Sequence, residues 1–118
     1  MALVLALDDD AIITQMLRRQ LEADHHDVVT CLDALDALAR MERRPLVEVI
    51  ITDWHMPGFS GIDVLTVVEQ KFPDVRRILV TAAPGEPEVE EAVRSGLVQY
   101  LLVKPWSRLE LWRVMQGA

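Results

Sequence analysis

Five short apolar runs recur along the chain, and each is followed by a segment with the spacing of an amphipathic helix. This alternation is typical of βαβ units, in which helices cover both faces of a parallel sheet. At 118 residues the chain has the length of one compact domain, so we expect a single domain over residues 1–118. The pattern predicts strands at Leu3–Leu7, Asp27–Cys31, Val47–Thr52, Arg77–Thr81 and Tyr100–Val103.

Local start and stop signals delimit the five helices between and after these strands. Asp10 has the residue type and position of an N-cap, and Ser107 and Glu110 have the spacing of a capping box. Proline and glycine mark the other boundaries, since proline cannot continue a helix and glycine favours its C-terminal turn. The predicted helices are Ala11–Ala23, roughly Leu35–Arg43, Ile62 to just before Pro73, Pro87 to Gly96, and the segment that begins at Ser107.

Charge and composition exclude several classes of function. The formal net charge is -7, which argues against direct binding to nucleic acid or to an anionic membrane, because both require clustered basic residues. The sequence contains neither a signal-peptide pattern nor a transmembrane stretch. The single cysteine, Cys31, lies in an apolar run, where we expect a core residue rather than half of a disulfide. A reducing, cytoplasmic setting is therefore expected.

Four of the five predicted strands end in a polar side chain. Ligands bind beyond the carboxyl ends of the strands in open parallel sheets, so these residues are candidates for one site. Each also has a simpler explanation: Asp53 as a turn residue, Thr81 as a strand-end hydroxyl, and Lys104 as a solvated lysine. Their recurrence at equivalent strand ends favours the shared site. The strand-end residues are Asp8 and Asp9 after strand one, Asp53 after strand three, Thr81 at strand four and Lys104 after strand five.

The residue types at these strand ends indicate phosphate chemistry with a divalent cation. Clustered carboxylates raise one another's pKa unless a cation neutralises them, and hard oxygen ligands suit Mg²⁺. An aspartate can act as a nucleophile in phosphoryl transfer and form an aspartyl phosphate. A lysine and a hydroxyl, such as those of Lys104 and Thr81, can then hold the phosphoryl oxygens.

Four segments of the chain resemble the receiver domains of two-component response regulators. These segments are LALDDDAII at the first strand end, IITDWHMPGFSGID around Asp53, RRILVTA at strand four and LLVKPW at strand five. The resemblance covers essentially the whole chain. It implies a flavodoxin-like, doubly wound (βα)5 fold, with five parallel strands in the order 2-1-3-4-5.

The resemblance also implies the chemistry of the site. Asp53 would accept a phosphoryl group from a sensor histidine kinase or a phosphotransfer protein. Asp8 and Asp9, directly or through water, would hold Mg²⁺ together with Asp53 and the backbone carbonyl of His55. Lys104 would pair with the phosphoryl group, and its bond to Pro105 is expected to be cis.

The expected response of such a domain is a change in the surface of helix four, strand five and helix five, which controls an output domain or an effector protein. Thr81 would move its hydroxyl onto the phosphate and draw the loop before helix four inward. Many receivers place a switching aromatic three residues before the lysine, but here that residue is Leu101, next to Tyr100. Trp112 and Leu109 form a second apolar face on the last helix, which is either a contact for a homodimer or output domain or simply part of the core.

Two other functions compete with the phosphorylated switch. A Mg²⁺-dependent hydrolase with an aspartate nucleophile would use a second acid two residues later, where this chain has His55. A degenerate receiver used only for binding would not need the complete set of strand-end residues. Trp54 is open to two interpretations, at the rim of the pocket or in the core, while His25 and His26 are interpreted as surface-loop residues without a function.

Overall fold

The computed structural model describes residues 1–117 and contains five βα units in series. Across these residues, no helix is long and apolar enough to cross a lipid bilayer. The strands are β1 Leu3–Leu7, β2 Asp27–Cys31, β3 Val49–Asp53, β4 Arg76–Thr81 and β5 Tyr100–Val103. The helices are α1 Ala11–Ala23, α2 Ala34–Met41, α3 Gly61–Lys71, α4 Pro87–Arg94 and α5 Arg108–Gln116.

The five strands form one parallel sheet in the order β2-β1-β3-β4-β5, which confirms the predicted topology. Side chains alternate between the two faces, so each buried strand supplies two apolar layers. One layer packs against α2, α3 and α4 and includes Leu5, Ile50 and Leu79. The other packs against α1 and α5 and includes Val4 and Ile78. Helices on both sheet faces leave the carboxyl ends of the strands as one open rim.

Two strands differ in their boundaries from the sequence prediction. The third strand was predicted at Val47–Thr52, but its pairing with β1 begins at Val49 and the strand includes Asp53. Val47 is buried, which accounts for its apolar type, although it precedes the paired residues. The fourth strand begins one residue early, at Arg76, because this residue pairs with Val49.

The helix boundaries largely follow their local signals. Asp10 caps α1 by accepting a hydrogen bond from the Ile12 N–H at 2.9 Å, and Ser107 and Glu110 form the predicted capping box. Helix α2 ends at Met41, two residues before the predicted end, because Arg40 donates to the carbonyls of Arg43 and Pro45 and stabilises a turn there. The predictions for the other boundaries were close: α3 ends before Pro73, and Gly96 adopts the left-handed conformation just after α4, with φ of 83°.

Candidate functional site

The polar strand-end residues come together at the carboxyl rim of the sheet. Asp8 follows β1 and Asp53 ends β3, so the two carboxylates lie beyond adjacent parallel strands. Both are buried, whereas Asp9 is exposed at the mouth of the site. Each of the three contributes a carboxylate oxygen to a group in which all these oxygens lie within 4.8 Å of one another. Such a cluster fits a hard divalent cation such as Mg²⁺.

Lys104, which follows β5, completes the cluster at the same rim. Its Nζ lies 2.8 Å from Asp53 Oδ1 and 3.5 Å from Asp8 Oδ2. Burial acts to lower the pKa of Lys104, but the hydrogen bond to Asp53 and the two negative charges outweigh it and raise the pKa. The amine is therefore held in its charged form beside the carboxylates. A fixed positive charge here can hold an anionic group bound to Asp53.

Asp8 is the carboxylate most affected by the site. Burial raises its pKa to about 6, and the neighbouring charge of Asp53 acts in the same direction. The Asp10 N–H donates to Asp8 Oδ1 at 2.9 Å and, like Lys104, favours the charged form without fully offsetting burial. Asp8 therefore gains from any additional positive charge that enters the site.

The backbone around Asp53 is held by close packing and short hydrogen bonds. The Thr52 hydroxyl donates to the Asp53 carbonyl at 2.9 Å, and the Trp54 N–H donates to the Val80 carbonyl at 3.0 Å. Gly61 packs so closely that a Cβ at this position would collide with the Asp53 carbonyl. The Gly61 N–H donates to the Trp54 carbonyl at 2.8 Å. The turn after β3 thus returns directly onto the strand that carries Asp53.

Thr81 and Lys104 are joined through the backbone at the ends of β4 and β5. Thr81 is buried, and its Oγ1 accepts a hydrogen bond from the Ala83 N–H at 2.9 Å. The Lys104 N–H donates to the Thr81 carbonyl at 2.9 Å, and the Lys104–Pro105 bond is cis, as expected. The hydroxyl, the lysine and the three carboxylates therefore line one rim, as the strand-end pattern predicted.

Comparison with known proteins agrees with this arrangement. The family model described as "Response regulator receiver domain" matches residues 4–116. The chain belongs to this family. As a receiver domain it is a signalling domain of two-component response regulators, and its sheet order is the flavodoxin-like order expected for the family.

This chain is similar to receiver domains of several known proteins. It is 35% identical over 105 residues to the transcriptional regulatory protein CitT of Halalkalibacterium halodurans, covering 84% of this chain and 44% of that protein. It is 31% identical over 107 residues to a chemotaxis protein CheY homologue of Campylobacter jejuni, covering 88% of this chain and 82% of the homologue. The solved structure of chemotaxis protein CheY4 of Vibrio cholerae superposes with a TM-score of 0.88 at 29% identity, covering 98% of this chain and 97% of that one. The receiver domain thus spans less than half of the first of these relatives.

Leu101 and Tyr100, neighbours in the sequence, lie on opposite faces of β5. Leu101 pairs with Leu79 and packs against the layer that includes α4, at the position where an aromatic was expected. Tyr100 packs against the α1 and α5 layer, where its hydroxyl donates to the Gly117 carbonyl at 3.0 Å and its ring lies 5.1 Å from the Arg76 guanidinium. Tyr100 therefore does not replace the missing aromatic on the α4 side.

The tryptophans separate into core and surface residues. Trp54 is buried in the layer beneath α3, which favours core support over a position at the pocket rim. Trp106 is partly buried, and its indole N–H donates to Gln20 of α1 at 2.9 Å. Trp112 and Leu109 remain 47% and 55% exposed, so this face of α5 is an apolar surface and not part of the core.

The histidines and the cysteine take no part in the carboxylate cluster. The exposed His55 ring packs on Trp54 with 4.0 Å between centroids, and the role of its backbone carbonyl stays a prediction. His26 Nδ1 accepts a hydrogen bond from the Ala2 N–H at 3.1 Å, which makes it a structural residue rather than a free loop residue. Cys31 is buried, as predicted, and burial raises the pKa of its thiol.

Sequence reasoning overlooked Thr52 and Gly61, which support the backbone around Asp53, and Arg77, which is buried near the start of β4. The capping-box spacing of Ser60 and Asp63 marks the start of α3 and provides a signal for Gly61 as its first residue. No local pattern identifies Thr52 or Arg77 as buried, because their partners are defined only by the packed backbone.

Proposed function

We propose that this receiver domain accepts a phosphoryl group on Asp53 from a sensor histidine kinase or a phosphotransfer protein. The observation that supports this proposal is the position of Asp53, which lies between the other carboxylates and the Lys104 amine, 2.8 Å away. An aspartate used only as a turn or cap residue has no need of both neighbours. Asp53 is buried at the rim, and its carboxylate lies beside that of the exposed Asp9.

The reaction is an in-line displacement at phosphorus. An Asp53 carboxylate oxygen attacks the phosphorus of the donor phosphohistidine, the new P–O bond forms, and the P–N bond to the imidazole breaks. The product is an acyl phosphate. Lys104 then pairs with a phosphoryl oxygen instead of the free carboxylate, so its charge stabilises the phosphorylated state. Hydrolysis of this acyl phosphate resets the domain.

Mg²⁺ is the proposed cofactor. Asp8, Asp9 and Asp53 supply hard oxygen ligands, and the His55 backbone carbonyl is assigned as a fourth protein ligand by the family resemblance. When bound, the ion neutralises the carboxylates and the charge that develops on the transferred phosphoryl group. The raised pKa of Asp8 fits a site that gains from such a charge.

Thr81 is the proposed sensor of phosphorylation. Its hydroxyl oxygen accepts a hydrogen bond from the Ala83 N–H, and a phosphoryl oxygen on Asp53 would accept a hydrogen bond from the same hydroxyl. Reorientation of the hydroxyl would draw the start of the β4–α4 loop toward Asp53. The surface formed by α4, β5 and α5 would change with it and control an output domain or effector protein.

The hydrolase alternative has less support. Two residues after Asp53, where such an enzyme would place its acid, the His55 imidazole packs on Trp54 instead.

Direct contact with nucleic acid is not proposed either, because the net charge of -7 opposes it. CitT is described as a transcriptional regulatory protein, and any similar output for this chain belongs to a separate domain or partner. The proposed location of the domain is the cytoplasm, where kinases of this class deliver phosphate.

Intact-mass spectrometry after incubation with acetyl phosphate and Mg²⁺ tests the phosphorylation of Asp53. We expect one phosphate on the wild type that is stable in mild acid and lost in base, and none on Asp53→Asn. Asp33→Asn serves as a control, because Asp33 caps α2 and lies outside the carboxylate cluster. Equal phosphate on wild type and Asp53→Asn would contradict the assignment.

A further inference from the structure

Arg77 of β4 is a buried charge whose partners lie far along the chain. Only 6% of the residue is exposed, although arginines are rarely buried without partners. Its Nε donates to the Leu97 carbonyl at 2.8 Å, and its Nη2 donates to the Gly96 carbonyl at 3.3 Å. Nη1 donates to the carbonyls of Val75 and Pro73 at 3.3 and 3.5 Å. One guanidinium therefore joins the loop before β4 to the connection between α4 and β5.

The backbone of Arg77 reinforces the same connection. Its N–H donates to Gln99 Oε1 at 2.8 Å, and the Gln99 N–H donates back to the Arg77 carbonyl at 3.0 Å. Glu69 Oε2 of α3 lies 3.6 Å from Arg77 Nη2, and the negative charge of Glu69 balances the positive charge of the guanidinium. Charge-assisted hydrogen bonds of this kind are stronger than neutral ones. Residues 96–99 are thus held on the sheet by both the side chain and the backbone of Arg77.

The two ends of α4 are held very differently. The Glu86 side chain makes no capping hydrogen bond at the N-terminal end, and residues 84–88 are all exposed. In the loop that leads to this end, the Ala83 N–H donates to Thr81 Oγ1, a local bond between residues two positions apart. The C-terminal end leads into Gly96 and Leu97, which Arg77 binds. The N-terminal end can therefore move at lower cost.

We propose that Arg77 is a positioning residue that makes the C-terminal end of α4 the fixed pivot of the switch. This inference rests on the proposed function, since it assumes that phosphorylation of Asp53 moves α4. The same contacts fix the start of β5, whose pairing with β4 runs from Tyr100 opposite Ile78 to Val103 opposite Thr81. Arg77 thereby also sets the register that delivers Lys104 to Asp53.

Hydrogen exchange with and without beryllofluoride and Mg²⁺ tests the pivot in the wild-type protein. We expect the phosphate mimic to change exchange in residues 82–88 and to leave the amides of residues 96–99 unchanged. In Arg77→Met, the amides of residues 96–99 should exchange about tenfold faster or more, because the Gly96 and Leu97 carbonyls lose their donor. These amides should also begin to respond to the mimic. Arg77→Lys should restore protection only in part, since lysine cannot reproduce the forked donor geometry.

Arg76→Met is the matched control. Arg76 is the adjacent residue of β4, and it donates to the carbonyls of Val114 and Met115 at the end of α5. Its loss should lower the melting temperature without changing exchange at residues 96–99. A wild-type response to the mimic at residues 96–99 as large as at residues 82–88 would overturn the pivot, as would unchanged protection there in Arg77→Met. If the wild type binds no mimic and Asp53 takes up no phosphate, the proposed function itself fails.

Discussion

Lys104 Nζ and Asp53 Oδ1 lie 2.8 Å apart, although 51 positions separate the two residues in the sequence (104 − 53). The contact exists because β4 lies between β3 and β5 and the polar residues follow the ends of these strands. The distance places the Lys104 amine beside the carboxylate that would carry the phosphoryl group.

Replacing Lys104 with Met should separate phosphoryl binding from metal binding. Hydrogen bonds to charged groups contribute about 1.5–3 kcal/mol, so beryllofluoride affinity should fall by about 10- to 100-fold. Mg²⁺ affinity should not fall, because the lysine competes with the ion for the carboxylates. Titrations with beryllofluoride and with Mg²⁺, followed by the fluorescence of Trp54 next to Asp53, measure the two affinities. Lys71→Met, which removes an exposed ion pair with Glu42, is the control and should change neither affinity. Equal losses of both affinities in Lys104→Met would contradict the assignment.

Gly61→Ala should destabilise the domain, because its Cβ would collide with the Asp53 carbonyl. Overpacking of this kind costs about 1–3 kcal/mol, which urea denaturation can measure. At Gly85 an added Cβ meets nothing within 4 Å, so Gly85→Ala should change stability by less than about 0.5 kcal/mol. Equal stability of the two variants would show that the turn relaxes away from Asp53.

Without Mg²⁺, Asp8 should make stability depend on pH. Burial raises its pKa from 3.8 to about 6 in the folded state, so the folded protein binds more protons than the unfolded chain between these values. The contribution of Asp8 to stability therefore decreases as pH rises through this window. Mg²⁺ should raise the melting temperature most above about pH 6. Asp8→Asn should lose most of the Mg²⁺ effect, and an identical dependence on pH and Mg²⁺ in both proteins would refute this prediction.

His26 should produce the opposite pH dependence. Burial and the nearby N-terminal amine lower its pKa from 6.5, and its neutral Nδ1 accepts a hydrogen bond from the Ala2 N–H. Its stabilising contribution is therefore complete above pH 6.5 and declines as the pH falls below that value. Thermal melts of His26→Gln should lack this decline. The exposed neighbour His25 has a φ of 68°, which asparagine tolerates, so His25→Asn is the control. This control should keep the decline in stability at low pH.

Trp112→Ala tests the proposed contact surface on α5. If the exposed face of Trp112 and Leu109 forms a homodimer in the phosphorylated state, the variant should remain monomeric with beryllofluoride while the wild type associates. Light scattering after size-exclusion chromatography measures the mass. Arg113→Ala changes the next exposed residue of the same helix and should not alter association. If Trp112→Ala associates to the same extent as the wild type, both with and without the mimic, the dimer proposal is wrong.

Much of the rim was predictable because its signals are local. Asp8, Asp53, Thr81 and Lys104 each end an apolar strand run, and parallel strands bring those ends to one edge. The cap at Asp10 and the turn at Gly96 follow from residue type and position in the same way. Boundaries such as Val47 were less certain, because a buried apolar residue can precede the paired part of a strand.

The sequence by itself determined the fold class, the strand order through family resemblance, and the residues that meet at the carboxyl rim. Only the tertiary structure decided that Trp54 belongs to the core, that Leu101 and not Tyr100 faces α4, and that Arg77 is buried. Face and burial depend on which distant backbone groups are packed nearby: the carbonyls bound by Arg77 belong to Gly96 and Leu97, 19 and 20 residues further along the chain. No local pattern carries that information, because the partners form only when β4 and the α4–β5 connection pack together.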